Sequence, residues 1–481
     1  MPYAKVDDRI LHELIEIAGA ANVITDPETL ENYAHDETPL YKAMPEAVVR
    51  PDTTDQVARI MLLAHENNIP VTPRGGGTCL SAGAVPIHGG IVLSLERMNK
   101  IVEIDEDNMM VTTQPGIVTE QLGKELAKHG LFFPPDPVSL DSCTIGGNIA
   151  ECAGGPRAMK YGVTRNYVTG ITAVLADGTV LKMGGKLLKN ATGYDLINLI
   201  TGSEGTLAIV TEATIRVLPL PKVIVDLLVP FACVEEATDF AVEVMQTGLM
   251  PASIEFMEGD VVHMVSKYLA RQIPYMDANA HTIVEIDGDD KKTVRKTYDR
   301  IGEIALKHGA LDILVAEGTR DKERMWEPRK KVGDTLKELT KNVAREDLVV
   351  PKKQIPQLIS RLKECVGKYD ATVYTFGHLG DGNIHADVSI DKTRNMDAAH
   401  IDRMRREIYE ITLSLGGAIT AEHGVGLSKI PYLAMALDEK QIALMKKIKQ
   451  AFDPKNVLNP GKVLPVGKAD KAIPPHSSAG R

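Results

Sequence analysis

The segment PPDPVSLDSCTIGGNIAECAGGPRAMKYGVTRN, residues 134–166, carries paired glycines at Gly146-Gly147 and Gly154-Gly155. Packing alone does not call for so many residues without a side chain. Glycine admits positive φ and lets a ligand approach the main chain closely. Two further segments share this texture. Pro73-Arg74-Gly75-Gly76-Gly77-Thr78 continues to Ser81-Ala82-Gly83, and TGSEGTLAIVTEATI spans residues 201–215. Successive N–H groups in such turns form a nest suited to a pyrophosphate. Neither GxxxxGK[ST] nor a GxGxxG between strand and helix is present, so a dinucleotide would be held in another way.

Outward from these loops, strand and helix patterns alternate. On the amino-terminal side, residues 1–45 read as one or two helices, with HELIEIAGA at helical spacing and an acidic start in DPETLENYAHD. AVVRP is a short strand. TTDQVARIMLLAHENN is an amphipathic helix opening on a capping Thr or Asp. IPVTPRGGG, GGIVLSLERM and MMVTTQPG read as strands, and TEQLGKELAKHG as a helix, and the alternation is expected to run on to IRVLPLPKV. The pair Pro219 and Pro221 marks a boundary near residue 220. Beyond it, VIVDLLVPF, HTIVEIDGD and LDILVAEGT read as strands with helices between them, which predicts an antiparallel sheet covered on one face.

The chain has 481 residues, too many for one ordinary core, so two domains are expected. Hydrophobic residues at 44% and charged residues at 25% place it among folded globular chains. The net charge of −10, without a basic block, argues against nucleic acid as a partner. The amino terminus lacks a basic-then-apolar leader, and no uncharged apolar run reaches the roughly 18 residues of a membrane span. Cys79, Cys143, Cys152, Cys233 and Cys365 form no CxxC pair, so the chain offers no thiolate nest for an iron–sulfur cluster. Reduced thiols and a cytoplasmic location are expected, peripheral to a membrane only through a partner. Cys152 reads as structural despite its glycine-rich setting.

The second half carries two ligand-rich segments. Gly377-His378-Leu379-Gly380-Asp381-Gly382-Asn383-Ile384-His385 lies between the strand-like runs ATVYTF and IHADVSI. Asp381-Gly382 signals a turn, which would fold His378 and His385 towards each other. Gly416-Gly417-Ala418-Ile419-Thr420-Ala421-Glu422-His423-Gly424-Val425-Gly426 flanks an adjacent Glu and His with glycines. Two imidazoles and one carboxylate form a recurrent site for a catalytic divalent ion. Glu422 suits an anionic ligand, and His423 a neutral base with a pKa near working pH.

The three glycine-rich segments, in this order and spacing, resemble the FAD-binding domain of the vanillyl-alcohol oxidase and p-cresol methylhydroxylase superfamily over about residues 40–220. The resemblance implies an α+β protein: a two-subdomain FAD-binding domain (1–220), then a substrate and metal domain with an antiparallel sheet (221–465). The tail 466–481 reads as disordered. By the same resemblance, Arg74, Gly75, Gly76, Gly77, Thr78, Ser81, Ala82 and Gly83 would bind the pyrophosphate. Pro135, Asp136, Ser142, Gly146, Gly147, Asn148 and Gly154 would line the flavin and ribityl side, and Glu204, Gly205 and Ile209 the adenine end. Some members attach FAD through a His that follows the glycine pair; Thr78 stands at the corresponding position, which implies non-covalent FAD.

Residues 221–462, ending in FDPKNVLNPGKV, resemble the C-terminal domain of FAD-linked oxidases, in the branch with D-lactate dehydrogenases, the glycolate oxidase flavin subunit and D-2-hydroxyglutarate dehydrogenases. The family's metal ligands carry over to His378, His385 and Glu422, and its base to His423. Asn383 would orient substrate or a ligand. Arg329, in MWEPRKKVG, falls where the family grips the substrate carboxylate, a task suited to an Arg fork. Arg345, in VAREDLVVP, matches a cationic position that is Lys in some members, and otherwise reads as an exposed charge. The implied activity is oxidation of a small D-2-hydroxy acid, with D-lactate to pyruvate first and glycolate or D-2-hydroxyglutarate as alternatives. Zinc, iron or manganese would suit the ligand set. With no redox centre beyond FAD in the chain, electrons would pass to a separate electron-transfer flavoprotein, iron–sulfur subunit, quinone or cytochrome. Homo- and hetero-oligomers both stay open. A non-catalytic flavoprotein subunit would not need the His378, His385, Glu422 and His423 set. A metal hydrolase would leave the glycine-rich half unexplained.

Overall fold

The computed structural model describes residues 2–38 and 41–465, without the Asn342 side chain. The tail expected to be disordered, 466–481, lies outside the described residues. Contacts divide the chain into two compact units. One comprises the chain up to Gly154, Val163–Leu220 and the described residues from Glu422 onward; the other comprises Gly155–Gly162 and Pro221–Ala421.

In the first unit, a four-stranded sheet runs in the order Val23–Ile24, Ala47–Val49, Ile91–Ser94, Val71–Arg74. The last three strands are mutually parallel. Parallel strands are covered on both faces and so need continuous apolar sequence; Ala47–Val49 and Ile91–Ser94 are buried at every residue. The crossover helix Thr54–Glu66 is capped by Thr53, whose side chain accepts from the Gln56 amide at 3.2 Å. Its Val57, Ile60, Met61 and Ala64 join Ile10 and Leu14 of the helix Asp8–Ala18 in one core. Of residues 26–36, only Pro27–Glu31 are α-helical.

Past residue 100 the strand–helix alternation gives way. A five-stranded antiparallel sheet runs in the order Ile101–Asp105, Met110–Thr113, Ile209–Arg216, Val168–Val174, Val180–Gly184. Two of its pairs are hairpins, and Gly178 with φ 84° makes the reversal in the second. The closing residues extend the four-stranded sheet. The Val71 amide donates to the Val457 carbonyl, and the Asn459 amide to the Val71 carbonyl, both at 2.7 Å. That pairing covers an edge strand that would otherwise stand open.

The second unit is built on a seven-stranded antiparallel sheet: Leu314–Ala316, Val223–Phe231, Ala280–Gly288, Ser253–Glu258, Thr372–His378, Asn383–Ile390, Lys341–Val349. Side chains directly opposite one another point to the same face. One row reads Leu228, Ile283, Glu255, His378, Asn383, Val349. The next reads Pro230, His281, Met257, Phe376, His385, Asp347. The register therefore collects both histidines, Asn383, Asp347 and Glu255 on one face.

The expectation of a sheet covered on one face is corrected: helices cover both. Leu228, Ile283, Met257 and Phe376 pack with Val261, Val262 and Val265 of the helix Gly259–Tyr268 and with Val332 and Leu336 of Val332–Leu339. On the opposite face, Glu346 meets Arg405 of the helix Ala398–Ser414, with Nε to Oε1 at 2.6 Å, and bonds the Tyr409 hydroxyl. This two-sided cover explains why Asn383–Ile390, which alternates polar and apolar residues, is buried at every position.

Candidate functional site

His378 ends its strand and Asn383 begins the next. The Gly382 amide closes the turn on the His378 carbonyl at 3.1 Å, with φ 96° at Gly382. The turn leaves His378 and His385 as diagonal neighbours on one face, their rings edge to face with centroids 5.2 Å apart. Both are buried.

Each histidine has a buried carboxylate beside it. His378 Nδ1 lies 2.6 Å from Glu255 Oε1. Glu255 Oε2 forms an ion pair with Arg329 Nε at 2.9 Å. Burial alone would raise the Glu255 pKa, but the charges of His378 and Arg329 outweigh it and hold the carboxyl below its usual range. Arg329 is itself buried, stands over the Phe376 ring at 5.1 Å, and has no hydrogen-bond partner at Nη2 among the described residues. A buried guanidinium nitrogen in that condition suits an anionic ligand.

Asp347 is fully buried and lies 3.7 Å from His385 Nδ1, too far for a hydrogen bond. Its Oδ1 accepts from Asn383 Nδ2 at 2.8 Å. Its Oδ2 accepts from Thr420 Oγ1 at 2.9 Å and from the Ala421 amide at 2.8 Å. Asn383 also donates to the Leu348 carbonyl at 3.0 Å, so its amide orients Asp347. Arg345 is mostly buried and pairs with Asp387, Nε to Oδ2 at 3.2 Å, which makes it a partner of a sheet carboxylate and not an exposed charge.

Glu422 and His423 follow Ala421 directly in the chain and count with the first unit. Both are partly buried, with His423 Nε2 3.9 Å from Glu422 Oε1. Sequence reasoning missed Glu255 and Asp347. The signal for Glu255 was the alternation SIEFME; for Asp347 it was a place two residues beyond Arg345 on the same side of a strand.

The glycine-rich loops of the first unit open a cleft of about 410 Å³, within the range of ligand pockets. Arg74, Gly75 and Gly76 line it with Ser142 and Thr144, so two of the three segments meet there. Asn32, Tyr33, Glu96, Asn99, Gly116, Val118 and Gln121 complete the wall, and no sequence pattern singled them out. A Cβ on Gly75 would lie 2.4 Å from Thr144 Oγ1, and one on Gly76 2.2 Å from the Ser142 carbonyl oxygen. These glycines permit the two loops to touch. Gly146 likewise has Pro115 at 2.6 Å from its would-be Cβ, while Gly147 donates its amide to Thr144 Oγ1 at 3.3 Å. Arg74 donates to the His35 carbonyl at 2.7 Å, and burial lowers its pKa.

The other residues assigned to the cofactor are not among those that line this cleft. Thr78 is half-buried, Asp136 partly exposed, and Pro135 and Gly154 buried. Gly77, at φ 70°, bends around the Arg74 guanidinium, and Gly83 lies against the Cys79 thiol. Asn148 is buried and donates to Thr119 Oγ1 at 2.8 Å. The Ile209 side chain belongs to the hydrophobic core. Gly205, at φ 66°, packs against Pro73. Ser81 and Ala82 are fully buried. Glu204 is also buried; burial pushes its pKa up, while the Val425 and Gly426 amides that it accepts pull against that. Its carboxylate is thereby engaged within the first unit.

Comparison with known proteins identifies the family. The profile described as FAD linked oxidases, C-terminal domain, matches residues 220–463, and the FAD binding domain profile matches residues 45–184. The chain is 38% identical to the glycolate oxidase subunit GlcD of Bacillus subtilis, covering 94% of this chain and 96% of the relative. It is 36% identical to a D-lactate dehydrogenase of Anaerostipes hadrus, covering 96% and 98%. Among solved structures, p-cresol methylhydroxylase with substrate bound superposes with a TM-score of 0.79 at 17% identity, covering 95% of this chain and 96% of that one. No helix among the described residues is long and apolar enough to cross a membrane. With an FAD-binding domain in its first half and the matching oxidase domain in its second, the chain belongs to the FAD-linked oxidases and is an FAD-dependent oxidoreductase.

Proposed function

We propose that this enzyme oxidises a small D-2-hydroxy acid to the 2-oxo acid, with D-lactate as the preferred substrate and glycolate or D-2-hydroxyglutarate as alternatives. The observation that carries the reading is the buried polar face of the second unit, where Glu255 grips both His378 Nδ1 and Arg329. The named relatives, a glycolate oxidase subunit and a D-lactate dehydrogenase, share the 2-hydroxy-acid substrate class.

A carboxylate on one ring nitrogen is the usual support for a metal-ligating histidine, because it fixes the ring and leaves the other nitrogen to bind. His378 fits that pattern. His378, His385 and Glu422 would hold a divalent ion of the zinc, iron or manganese type. Asp347 fixes the start of this segment, since it accepts the Ala421 amide one residue before Glu422. When bound, the ion supplies Lewis acidity and FAD supplies the acceptor for the hydride that leaves C2. Arg329 binds the substrate carboxylate through the guanidinium edge not turned to Glu255. His423 removes the proton of the C2 hydroxyl. Asn383 orients Asp347, and Arg345 neutralises Asp387 beside them.

In the first unit, the cleft at Arg74–Gly76 and Ser142–Thr144 receives part of the dinucleotide. Thr78 offers no nucleophilic nitrogen for attachment, so FAD is dissociable: acid precipitation releases the colour to the supernatant, and a yellow pellet contradicts this. Electrons then pass to a separate protein or quinone. The deciding experiment is anaerobic bleaching of the bound flavin by a panel of D- and L-2-hydroxy acids. Bleaching by D-lactate is expected; absence of bleaching by every member sinks the reading.

A further inference from the structure

The segment that bears His423 is tied down by residues for which the FAD resemblance had another use. Glu204 Oε1 accepts the Val425 amide at 2.8 Å, and Oε2 accepts the Gly426 amide at 2.6 Å. The Ser81 carbonyl accepts the amides of Leu427 at 2.9 Å and Ser428 at 3.1 Å. Four successive main-chain donors, 425 to 428, are thus held by two residues of the glycine-rich loops. Gly424 and Gly426 have φ of 72° and 51°. A Cβ at Gly424 would lie 2.6 Å from Glu151 Oε2 and 2.8 Å from Glu204 Oε1; one at Gly426 would lie 2.1 Å from the Ser81 carbonyl oxygen. Neither glycine has room for a side chain.

Glu204 is itself held at both ends of its backbone. Its amide donates to the Ala150 carbonyl at 2.8 Å, and its carbonyl accepts from Asn459 Nδ2 at 2.8 Å. Its φ is 53°, a left-handed conformation that a non-glycine residue adopts only when its surroundings require it. Two hydrogen bonds from consecutive amides to one carboxyl group fix position and direction together, which a single acceptor atom cannot do.

We infer that Glu204 is a positioning residue for His423: its carboxylate sets the backbone of residues 424–426 and so aims the base. The inference rests on the reading of His423 as the base. It predicts that Glu204→Gln, which keeps the shape but replaces one acceptor with a donor facing an N–H, misplaces the base while leaving the flavin bound. Misplacement of a reacting group by about 1 Å costs on the order of 100-fold in rate.

The test is single-turnover flavin reduction by D-lactate in the FAD-loaded enzyme. For Glu204→Gln, a fall of about 10- to 100-fold in the reduction rate constant is expected, with FAD content and substrate Kd within about twofold of the parent. In a His423→Ala background the same change should cost nothing further, because the residue that it serves is gone. A general structural role would lower the rate again. A reduction rate within about twofold of the parent, loss of FAD as the sole defect, or a full second loss in the His423→Ala background overturns the inference. A His423→Ala protein that reduces flavin at the parent rate overturns the base reading itself, and shows this before Glu204 is changed. If Glu204→Gln does not accumulate, Gly424→Ala pushes the same segment from within, and the same outcomes decide.

Discussion

The polar face of the second unit and the glycine cleft of the first are built on opposite principles. On the sheet, the working parts are side chains: His378 and Arg329 share Glu255, and Asn383, Thr420 and Ala421 share Asp347. In the cleft, the working part is the absence of side chains: Gly75 and Gly76 let one loop lie against Ser142 and Thr144. The first kind of site fails when an atom is removed and the second when one is added. Substitutions that remove a group should therefore damage chemistry while FAD stays bound, and substitutions that add a methyl should damage FAD binding first.

The largest expected effect is that of His423→Ala. If His423 is the base as proposed, its loss should lower the rate constant of flavin reduction by about 10²- to 10⁴-fold, with the flavin spectrum intact; stopped-flow absorbance reads it, and a parent-like rate removes His423 from the reaction. Next comes Glu255→Gln. If His378 holds the proposed ion, loss of the carboxylate behind it should weaken metal binding by about 10- to 100-fold, read as metal content after dialysis against a graded chelator. Unchanged retention would mean that Glu255 serves Arg329 alone.

For the cleft, Gly76→Ala places a Cβ where the Ser142 carbonyl oxygen stands at 2.2 Å. FAD affinity should fall about tenfold, roughly 1.4 kcal/mol, measured by flavin fluorescence on titration. Gly123→Ala is the control. Gly123 lies in the helix Thr119–Lys128 with nothing within 4 Å of its would-be Cβ, so alanine should stabilise by about 0.5–1 kcal/mol. If both variants bind FAD like the parent, close loop contact is not what the glycines provide.

The last expected effect is on stability at the sheet face and not on the reaction. Asp226 is buried, and burial together with the charge of Glu285 pushes its pKa up to about 7. A carboxyl raised in the folded state contributes stability that is full below its ordinary pKa of 3.8 and is lost as pH rises through about 7. The parent should thus lose stability relative to Asp226→Asn between about pH 4 and 7, at no more than about 1.4 kcal/mol per pH unit. Parallel melting curves for parent and variant across that range would contradict it.

Much of this was legible in the chain. The glycine segments announced loops that approach something closely, and the Asp381-Gly382 turn with a histidine on either side announced their meeting. What escaped was whatever depends on partners remote in sequence. Glu255 lies over a hundred residues from His378, and only the strand register brings them together. Asp347 is opposite His385 for the same reason. The antiparallel sheet after residue 100 was read as strand–helix alternation, because short hairpin strands and the strands of a parallel unit look alike one at a time.

The sequence by itself determined the class of chemistry. It did so through the resemblance to the FAD-linked oxidases, whose motifs, the glycine-rich segments, the His-turn-His hairpin and the adjacent Glu-His pair, are each made within a few residues and so can be read locally. The tertiary structure alone decided how those groups are held. It gave Glu204 the Val425 and Gly426 amides to accept, and it made Asn383 the partner of Asp347. The physical reason is that a buried polar group must find a partner wherever the fold presents one, and register, not proximity along the chain, sets which groups face each other.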